Sequence, residues 1–385
     1  MKQSPNAFAL LKLALIGQRT EWSTCENGVG GLAAQLWPYT SVVQGSMRQV
    51  FITRHGAPEV LEVREATDPV PGDGHVRIRV CAAGVNFADI LARLGLYPDA
   101  PKPPVVVGYE VAGYIDAVGP GVTHRHEGSR VMALTRFGGY ADRVVVPAAF
   151  TFPVPARLSE AEAAAVPVNY LTALLALYRM ANISAGETVL IHSAAGGVGI
   201  AATQLARLRR AIIIGTASAT KHEALRTFGV DHAIDYRDAD VAAEVRRFTH
   251  DRGVDVVLDP LGGKSFQTSY DLLAPFGRLV IFGLSGVASG ERRNWWRVGR
   301  VVMQLPSFKP FSLMNRNRGV LGLNLGHLWD QQRQLSAAMD MLLQEIDTER
   351  LRPVVARTFP LERAADAHRF IQDRANIGKV VLTTS

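Results

Sequence analysis

Cysteine is nearly absent from this sequence: Cys25 and Cys81 are the only two in 385 residues. Two thiols rule out a disulfide framework and any four-cysteine zinc site, and they suit a reducing compartment. Long apolar runs are missing as well, and none approaches the roughly 20 residues that a membrane-spanning helix needs. Acidic residues are in modest deficit, 35 against 42 basic, for a formal net charge of +7. Such an excess raises nucleic acid or an anionic membrane surface as partners. No helix-turn-helix, zinc finger or aromatic-basic interleaving accompanies it, so no nucleic-acid partner is expected. Within residues 1–46, the stretch 28–31 and the residues after it lack a usable hydrophobic period. Residues 8–16 are apolar apart from Lys12, but that charge and the want of a small-residue cleavage site make a poor signal peptide. A disordered extension, or a start upstream of the natural one, is expected there, before two domains or slightly more.

One well-formed strand–turn–helix stands out. Thr188-Val-Leu-Ile-His192 has the β-branched, apolar composition of a strand buried on both faces. A small-residue turn follows, and from Ile200 the pattern becomes helical. A helix N-terminus offers unpaired N–H groups and a partial positive charge to a pyrophosphate. In the fingerprint G-x-G-x-x-G, Gly196 takes the second place and Gly199 the third, while Ala194 stands where the first glycine is usual. Ala195, Gly196, Gly197 and Val198 are therefore the expected phosphate cradle.

Residues 211–216 form the next strand. An NAD site places Asp or Glu near its end, to accept from the ribose 2′-hydroxyl. Gly215 and Thr216 stand there instead, followed by Ser218 and Lys221. A missing carboxylate beside donors favours the extra phosphate of NADP, so NADPH is the expected cofactor. The plainer reading of Lys221 alone is a solvated lysine at a helix start.

Elsewhere, residues 48–53, 60–63 and 75–81 read as short strands, the last alternating polar and apolar. Residues 84–93 begin at a turn and become helical, and 105–119, 128–131 and 140–146 are β-rich with glycine bends. Many short strands with glycine turns indicate a small β-barrel-like domain. Ser159 and Glu162 have capping-box spacing before a helix through 170–180. Beyond the glycine turn, helices at 221–228, 241–249 and 265–273 alternate with strands at 231–236, 254–259 and 278–283. That rhythm implies a doubly wound parallel sheet. A long amphipathic helix at 331–345 precedes a final strand, helix and strand.

From Met47 onward the chain resembles the zinc-free quinone oxidoreductase branch of the medium-chain dehydrogenase/reductase superfamily. Gly84-Val-Asn-Phe-Ala-Asp89, Gly108-Tyr-Glu-Val-Ala-Gly113 and Ala194-Ala-Gly-Gly-Val-Gly199 carry the resemblance. Within that branch it looks most like the vesicle amine transport protein group, on residues 215–225, Asp259-Pro-Leu-Gly-Gly263 and Leu96-Tyr97. The resemblance implies an α/β fold with a Rossmann doubly wound parallel sheet inserted in a GroES-like β-barrel catalytic domain. The expected bounds are 47–167 and 326–385 for the catalytic domain and 168–325 for the NADP-binding domain. A cytoplasmic homodimer is the expected assembly.

Zinc-dependent relatives of that superfamily place a ligating cysteine where this chain has Asn86, and a ligating histidine where it has Tyr109; Glu110 is retained. Without thiolate or imidazole ligands a tetrahedral zinc site cannot be assembled, so no metal is expected. Small hydrophobic quinones and α,β-unsaturated carbonyls accept hydride with the charge spread onto an oxygen, whereas alcohol oxidation wants zinc or a general base. Asn86 is expected to donate its amide N–H to that oxygen or to the nicotinamide ribose, with a plain helix cap as the alternative. Tyr97 is expected to donate a hydrogen bond or proton or to stack on a flat acceptor, with half-buried packing as the alternative. By resemblance, Lys221, Tyr236 and Arg374 clamp the 2′-phosphate, and Thr172, Phe282 and Gly283 lie near the nicotinamide. His192 and His232 read as packed strand residues. The leading function is an NADPH-dependent quinone or enone reductase. An NADPH-binding, membrane-associated adaptor with little turnover and an enoyl-thioester reductase are the alternatives.

Residues 290–319 hold seven basic residues against one acid, Glu291. Read as a helix, Arg293, Arg297, Arg300 and Gln304 share one face, and Trp295, Val298, Val302 and Leu305 another. The commoner meaning of this pattern is a helix packed on its own domain or on a dimer partner. The other is peripheral contact with anionic membrane through residues 293–305.

Overall fold

The computed structural model describes residues 45–288 and 290–384, so the expectation for 1–46 lies outside the described residues except at its end, where Ser46 opens the first strand. Eight strands come from the first part: β1 (Ser46–Ile52), β2 (Leu61–Thr67), β3 (His75–Val85), β4 (Val105–Val106), β5 (Glu110–Val118), β6 (Arg130–Leu134), β7 (Arg143–Pro147) and β8 (Thr151–Pro153). Along β3, Val76, Ile78 and Val80 are buried while Arg77 and Arg79 face outward to carboxylate and aromatic partners. This is the alternation of a half-buried strand.

The inserted domain holds β9 (Thr188–Ile191), β10 (Ile212–Ala217), β11 (His232–Asp235), β12 (Val254–Asp259), β13 (Leu273–Ile281) and β14 (Gly319–Gly322). They form one sheet in the order β11-β10-β9-β12-β13-β14, and every pairing is parallel. The order reverses beside β9, which places the crevice where open α/β sheets bind ligands. The glycine-turn helix, Gly197–Leu208, begins three residues earlier than its apolar pattern suggests, because small residues at Gly197 and Gly199 continue the turn into the helix. The helix expected to reach residue 273 stops at Asp271; Leu273 already belongs to β13, paired with Val254.

The chain then returns to the first domain. β15 (Val355–Pro360) and β16 (Lys379–Thr383) join a seven-stranded sheet, ordered β15-β16-β3-β5-β6-β8 with β7 also on β3. This return explains the main departure from the local pattern. Gly84 and Val85, expected as a turn, extend β3 because Val381 and Val380 pair with them from the far end of the chain. One apolar cluster crosses between the domains, joining Ala112 and Met132 to Val189 and Ile191 and to Leu335, Met339 and Leu342 of the helix Gln332–Asp347.

The helical run Glu160–Met180 is, by length and composition, apolar enough to cross a membrane, and 78% of its apolar window is buried inside the protein. No such run was expected. Its acidic start and Arg179 near its end interrupt the apolar stretch in the sequence, and packing identifies it as a core helix. The basic segment forms two short helices, Trp295–Met303 and Pro310–Arg316. Its expected apolar face is divided: Val298 is buried, but Trp295 is 58% exposed, with the Arg293 guanidinium 4.2 Å over its ring. Val298 packs with Ile90 and Leu94, in and just after the helix Phe87–Arg93, and that contact fixes which side turns inward.

Candidate active site

A cleft of about 270 Å³ runs between the two domains. Its floor is the turn after β9. Gly196 caps the helix Gly197–Leu208, and Ala195, Gly196, Gly197 and Val198 all line the cleft, as expected. A side chain at Gly197 would place Cβ 2.8 Å from Asn169 Cγ, and one at Gly199 would place it 2.6 Å from the Ala194 carbonyl oxygen. At Gly196 the nearest protein atom is 3.3 Å away. The turn is therefore packed tightly against protein at Gly197 and Gly199 and open at Gly196, as a phosphate approaching the N–H groups requires. The far end of the chain closes over it, with the Gly378 N–H donating to the Ala195 carbonyl at 2.9 Å.

At one end of the cleft stand Ser218, Lys221, Tyr236 and Arg374. Lys221 Nζ donates to the carbonyl oxygens of Arg374 and Asn376, at 2.6 and 2.7 Å, and Arg374 Nη1 donates to the Tyr236 hydroxyl at 3.0 Å. Residues from the two domains thus meet here. Burial lowers the Lys221 pKa. Burial acts to raise that of Tyr236, but its Arg374 bond and the nearby guanidinium charges bring the net value below an ordinary phenol. Two cations and a phenol converging on one corner fit a dianionic phosphate.

At the other end lies Asn86, the N-cap position of the helix Phe87–Arg93. Its side chain does not bond the helix. The amide oxygen accepts from Lys379 Nζ at 2.6 Å, and Nδ2 donates to Glu110 Oε1 at 3.1 Å. Lys379 and Glu110, 3% and 0% exposed, form a buried ion pair. Glu110 Oε2 also accepts the Val168 N–H at 2.7 Å. Gly84 is required here, since a Cβ would lie 2.6 Å from Glu110 Oε1 and from Lys379 Cε. The expectation of a free amide donor at Asn86 is thus revised: Nδ2 donates both to Glu110 Oε1 and, at 3.4 Å, to the Gly84 carbonyl, and the amide is fixed on both ends.

The cap function passes instead to Asp89, whose Oδ2 accepts the Asn86 N–H at 2.7 Å and whose Oδ1 accepts the Gly108 N–H at 2.9 Å. Asp89 is fully buried, and burial outweighs these bonds and that of Tyr140, raising its pKa to about 7. The Tyr140 hydroxyl donates to Asp89 Oδ2 at 3.0 Å and lies 3.2 Å from His368 Nε2. Arg93 Nε donates to His368 Nδ1 at 3.2 Å. Burial drives the His368 pKa well down, aided by Arg93, so the ring is neutral.

The remaining expected residues are divided between the cleft wall and its surroundings. Thr172 is buried at 8% exposure and does not line the cleft; Asn169, one turn earlier, does. Phe282 lines it and Gly283 does not. Tyr97 is outside the lining, edge-on to Tyr109 with ring centroids 6.0 Å apart. Burial raises its pKa to about 12. His192 does face the cleft, but its nitrogens lie 3.3 Å from Thr216 Oγ1 and 3.1 Å from Ser269 Oγ, and burial lowers its pKa. His232 stacks on Phe248 at 4.7 Å. Asn169 and Lys379 carry no local sequence signal. Lys379 reads as the charged edge of an apolar strand until β16 is known to pair with β3.

Among the described residues no group of three or more His, Cys, Asp or Glu is arranged to hold a metal ion. Two family profiles match the chain: the alcohol dehydrogenase GroES-like domain over residues 72–156 and the zinc-binding dehydrogenase over 228–382. The human synaptic vesicle membrane protein VAT-1 homolog is 41% identical over 323 residues, covering 84% of this chain and 82% of that protein. The solved structure of Escherichia coli quinone oxidoreductase complexed with NADPH is 30% identical, with a TM-score of 0.78 over 88% of this chain and 100% of that one. CurK enoyl reductase is 30% identical, with a TM-score of 0.77 over 88% of this chain and 99% of that one.

Proposed function

We propose that this chain, which belongs to the zinc-free branch of the medium-chain dehydrogenase/reductase superfamily and resembles its VAT-1 proteins, is an NADPH-dependent reductase of quinones or α,β-unsaturated carbonyls. The observation that carries this reading is the cleft, with a phosphate-binding turn on its floor, a cationic corner at one end and a fixed amide in place of a metal ligand at the other. When bound, the dinucleotide supplies a hydride at its nicotinamide ring. The chain's own residues hold and orient. The helix-start N–H groups of Gly197 and Val198 would hold the pyrophosphate, the Gly196 N–H being bonded to the Ser193 carbonyl, and Lys221, Tyr236 and Arg374 would hold the 2′-phosphate. At the reacting end, the Lys379–Glu110 pair fixes Asn86, so that positions are set before a substrate enters.

Asn86 and Tyr109 leave no thiolate or imidazole to ligate a metal. The suitable acceptors are those whose own π-system carries the developing charge to an oxygen, namely quinones and enones. Enoyl thioesters share this chemistry, and the likeness to CurK enoyl reductase keeps them in the substrate panel. The test is NADPH oxidation by purified protein against quinones, enones and enoyl thioesters. Turnover with at least one class supports the reading. NADPH binding without oxidation by any of them overturns it in favour of an adaptor.

One observation favours a membrane-associated second reading. Trp295, Trp296, Met303, Phe311 and Met314 are all more than half exposed, on two short helices that also carry Arg297, Arg300 and Arg316. Exposed indole and thioether groups beside arginines suit an anionic interface. In this reading the protein is cytoplasmic and touches membrane only peripherally, and a homodimer through another face is compatible with it.

A further inference from the structure

Tyr109 occupies the place where zinc-dependent relatives put a ligating histidine, and its hydroxyl is buried with no hydrogen-bond partner among the described residues. A buried hydroxyl without a partner loses its hydration and gains nothing in return. Such groups are few in native proteins, and each calls for a physical reason. Flexibility is not the reason here, because the residues on both sides of Tyr109 are tied to the Asn86 helix. The Gly108 N–H donates to Asp89 Oδ1 at 2.9 Å, and Glu110 Oε1 accepts from Asn86 Nδ2 at 3.1 Å. The Tyr109 ring is wedged between two others, edge-on to Tyr97 at 6.0 Å and tilted against Phe137 at 5.5 Å. Burial pushes its pKa far above that of an ordinary phenol, so the hydroxyl keeps its proton and can act only as a neutral donor or acceptor.

These contacts pack three aromatic rings beyond the Asn86 end of the cleft, outside its lining, and leave a protonated phenol with no hydrogen-bond partner among the described residues. We infer that Tyr109 is the hydrogen-bond donor to the carbonyl oxygen of the substrate, which enters by parting the Tyr97 and Tyr109 rings. A flat conjugated acceptor suits the slot opened between those rings, because ring faces bind ring faces and the unpaired Tyr109 hydroxyl fixes which edge carries the oxygen. The phenol then stands in for a Lewis acid at the same backbone position, as a donor aimed where charge develops. This assignment deepens the reductase reading above and rests on it.

The test compares Tyr109→Phe, which removes one oxygen, with wild type in three measurements. The first is binding of 1,4-naphthoquinone to the NADP⁺-loaded protein, followed by tryptophan quenching. The second is kcat and KM for NADPH-linked naphthoquinone reduction. The third is Tm. The expected result is a ten- to hundredfold loss in kcat/KM, at least tenfold weaker naphthoquinone binding, an unchanged NADPH Kd, and a Tm equal to or above that of wild type. The raised or equal Tm separates a functional hydroxyl from a structural one. Naphthoquinone binding and turnover within twofold of wild type would overturn the assignment. Should wild type reduce no carbonyl at all, the reductase reading fails separately, and binding alone decides Tyr109. A tenfold loss in Tyr109→Phe then still supports the slot, and equal binding, or none by wild type, refutes it.

Discussion

Lys379 Nζ lies 2.6 Å from the amide oxygen of Asn86, a contact between residues 293 positions apart in the chain. With Glu110 it makes a closed triangle of polar groups at the Asn86 end of the cleft. Removing one partner of a buried pair leaves the other charge uncompensated, which costs about 3–5 kcal/mol. Lys379→Met should therefore lower unfolding stability by roughly that amount, measured by urea titration. Lys379→Met combined with Glu110→Gln should recover much of the loss, because no unpaired charge then stays buried. A single variant as stable as wild type would mean that the pair does not organise the site.

The cationic corner predicts cofactor choice. A lost charge-assisted contact costs about 1.5–3 kcal/mol. Lys221→Ala should weaken NADPH by roughly ten- to a hundredfold and leave NADH nearly unchanged. Fluorescence titration of both cofactors checks this, and equal wild-type affinities for NADPH and NADH would contradict it.

The Rossmann half was legible because its signals are local: the β-branched run of β9, the small residues of the turn, and the alternation of strands and helices. Lys221, Tyr236 and Arg374 meet at one corner, a convergence no local pattern contains. The residues missed were those whose role is made by distant pairing. Gly84 reads as a turn until β16 pairs with it, and Lys379 reads as a strand-edge charge until it is seen beneath Asn86. Trp295 misled for the opposite reason. Helical periodicity groups it with Val298, but only Val298 has a neighbouring helix to pack on.

Asp89 predicts a pH dependence of stability. Its folded pKa of about 7 lies above the ordinary 3.8, so the folded state binds the extra proton. The associated stability is complete below about pH 4 and is lost as the pH rises to 7, a swing of about 4 kcal/mol at most. His192 and His368, whose pKa values are lowered, act the other way, losing stability as the pH falls below the ordinary imidazole range. Asp89→Asn isolates the first effect. The stability advantage of wild type over Asp89→Asn should shrink by about 2–3 kcal/mol between pH 5 and pH 8. A difference independent of pH would show that Asp89 is not held protonated.

The basic helices predict salt-sensitive membrane contact. Wild-type protein should sediment with anionic liposomes at low salt and release as salt rises, because surface attraction is screened over about 10 Å at 0.1 M. Replacing Arg293, Arg297 and Arg300 by Gln should abolish sedimentation without lowering Tm. No sedimentation of wild type at low salt would mean that the exposed tryptophans and methionines face something other than membrane.

The central claim is hydride delivery in this cleft to a conjugated carbonyl. Its most direct measurement uses NADPH carrying deuterium on the transferred position of the nicotinamide ring, incubated with the protein and an enone, with mass spectrometry of the product. The account predicts a saturated ketone with one deuterium at the β carbon, formed far more slowly by Tyr109→Phe. An enone recovered unreduced, together with its quinone and enoyl-thioester counterparts, or a reduced product without deuterium, would contradict it.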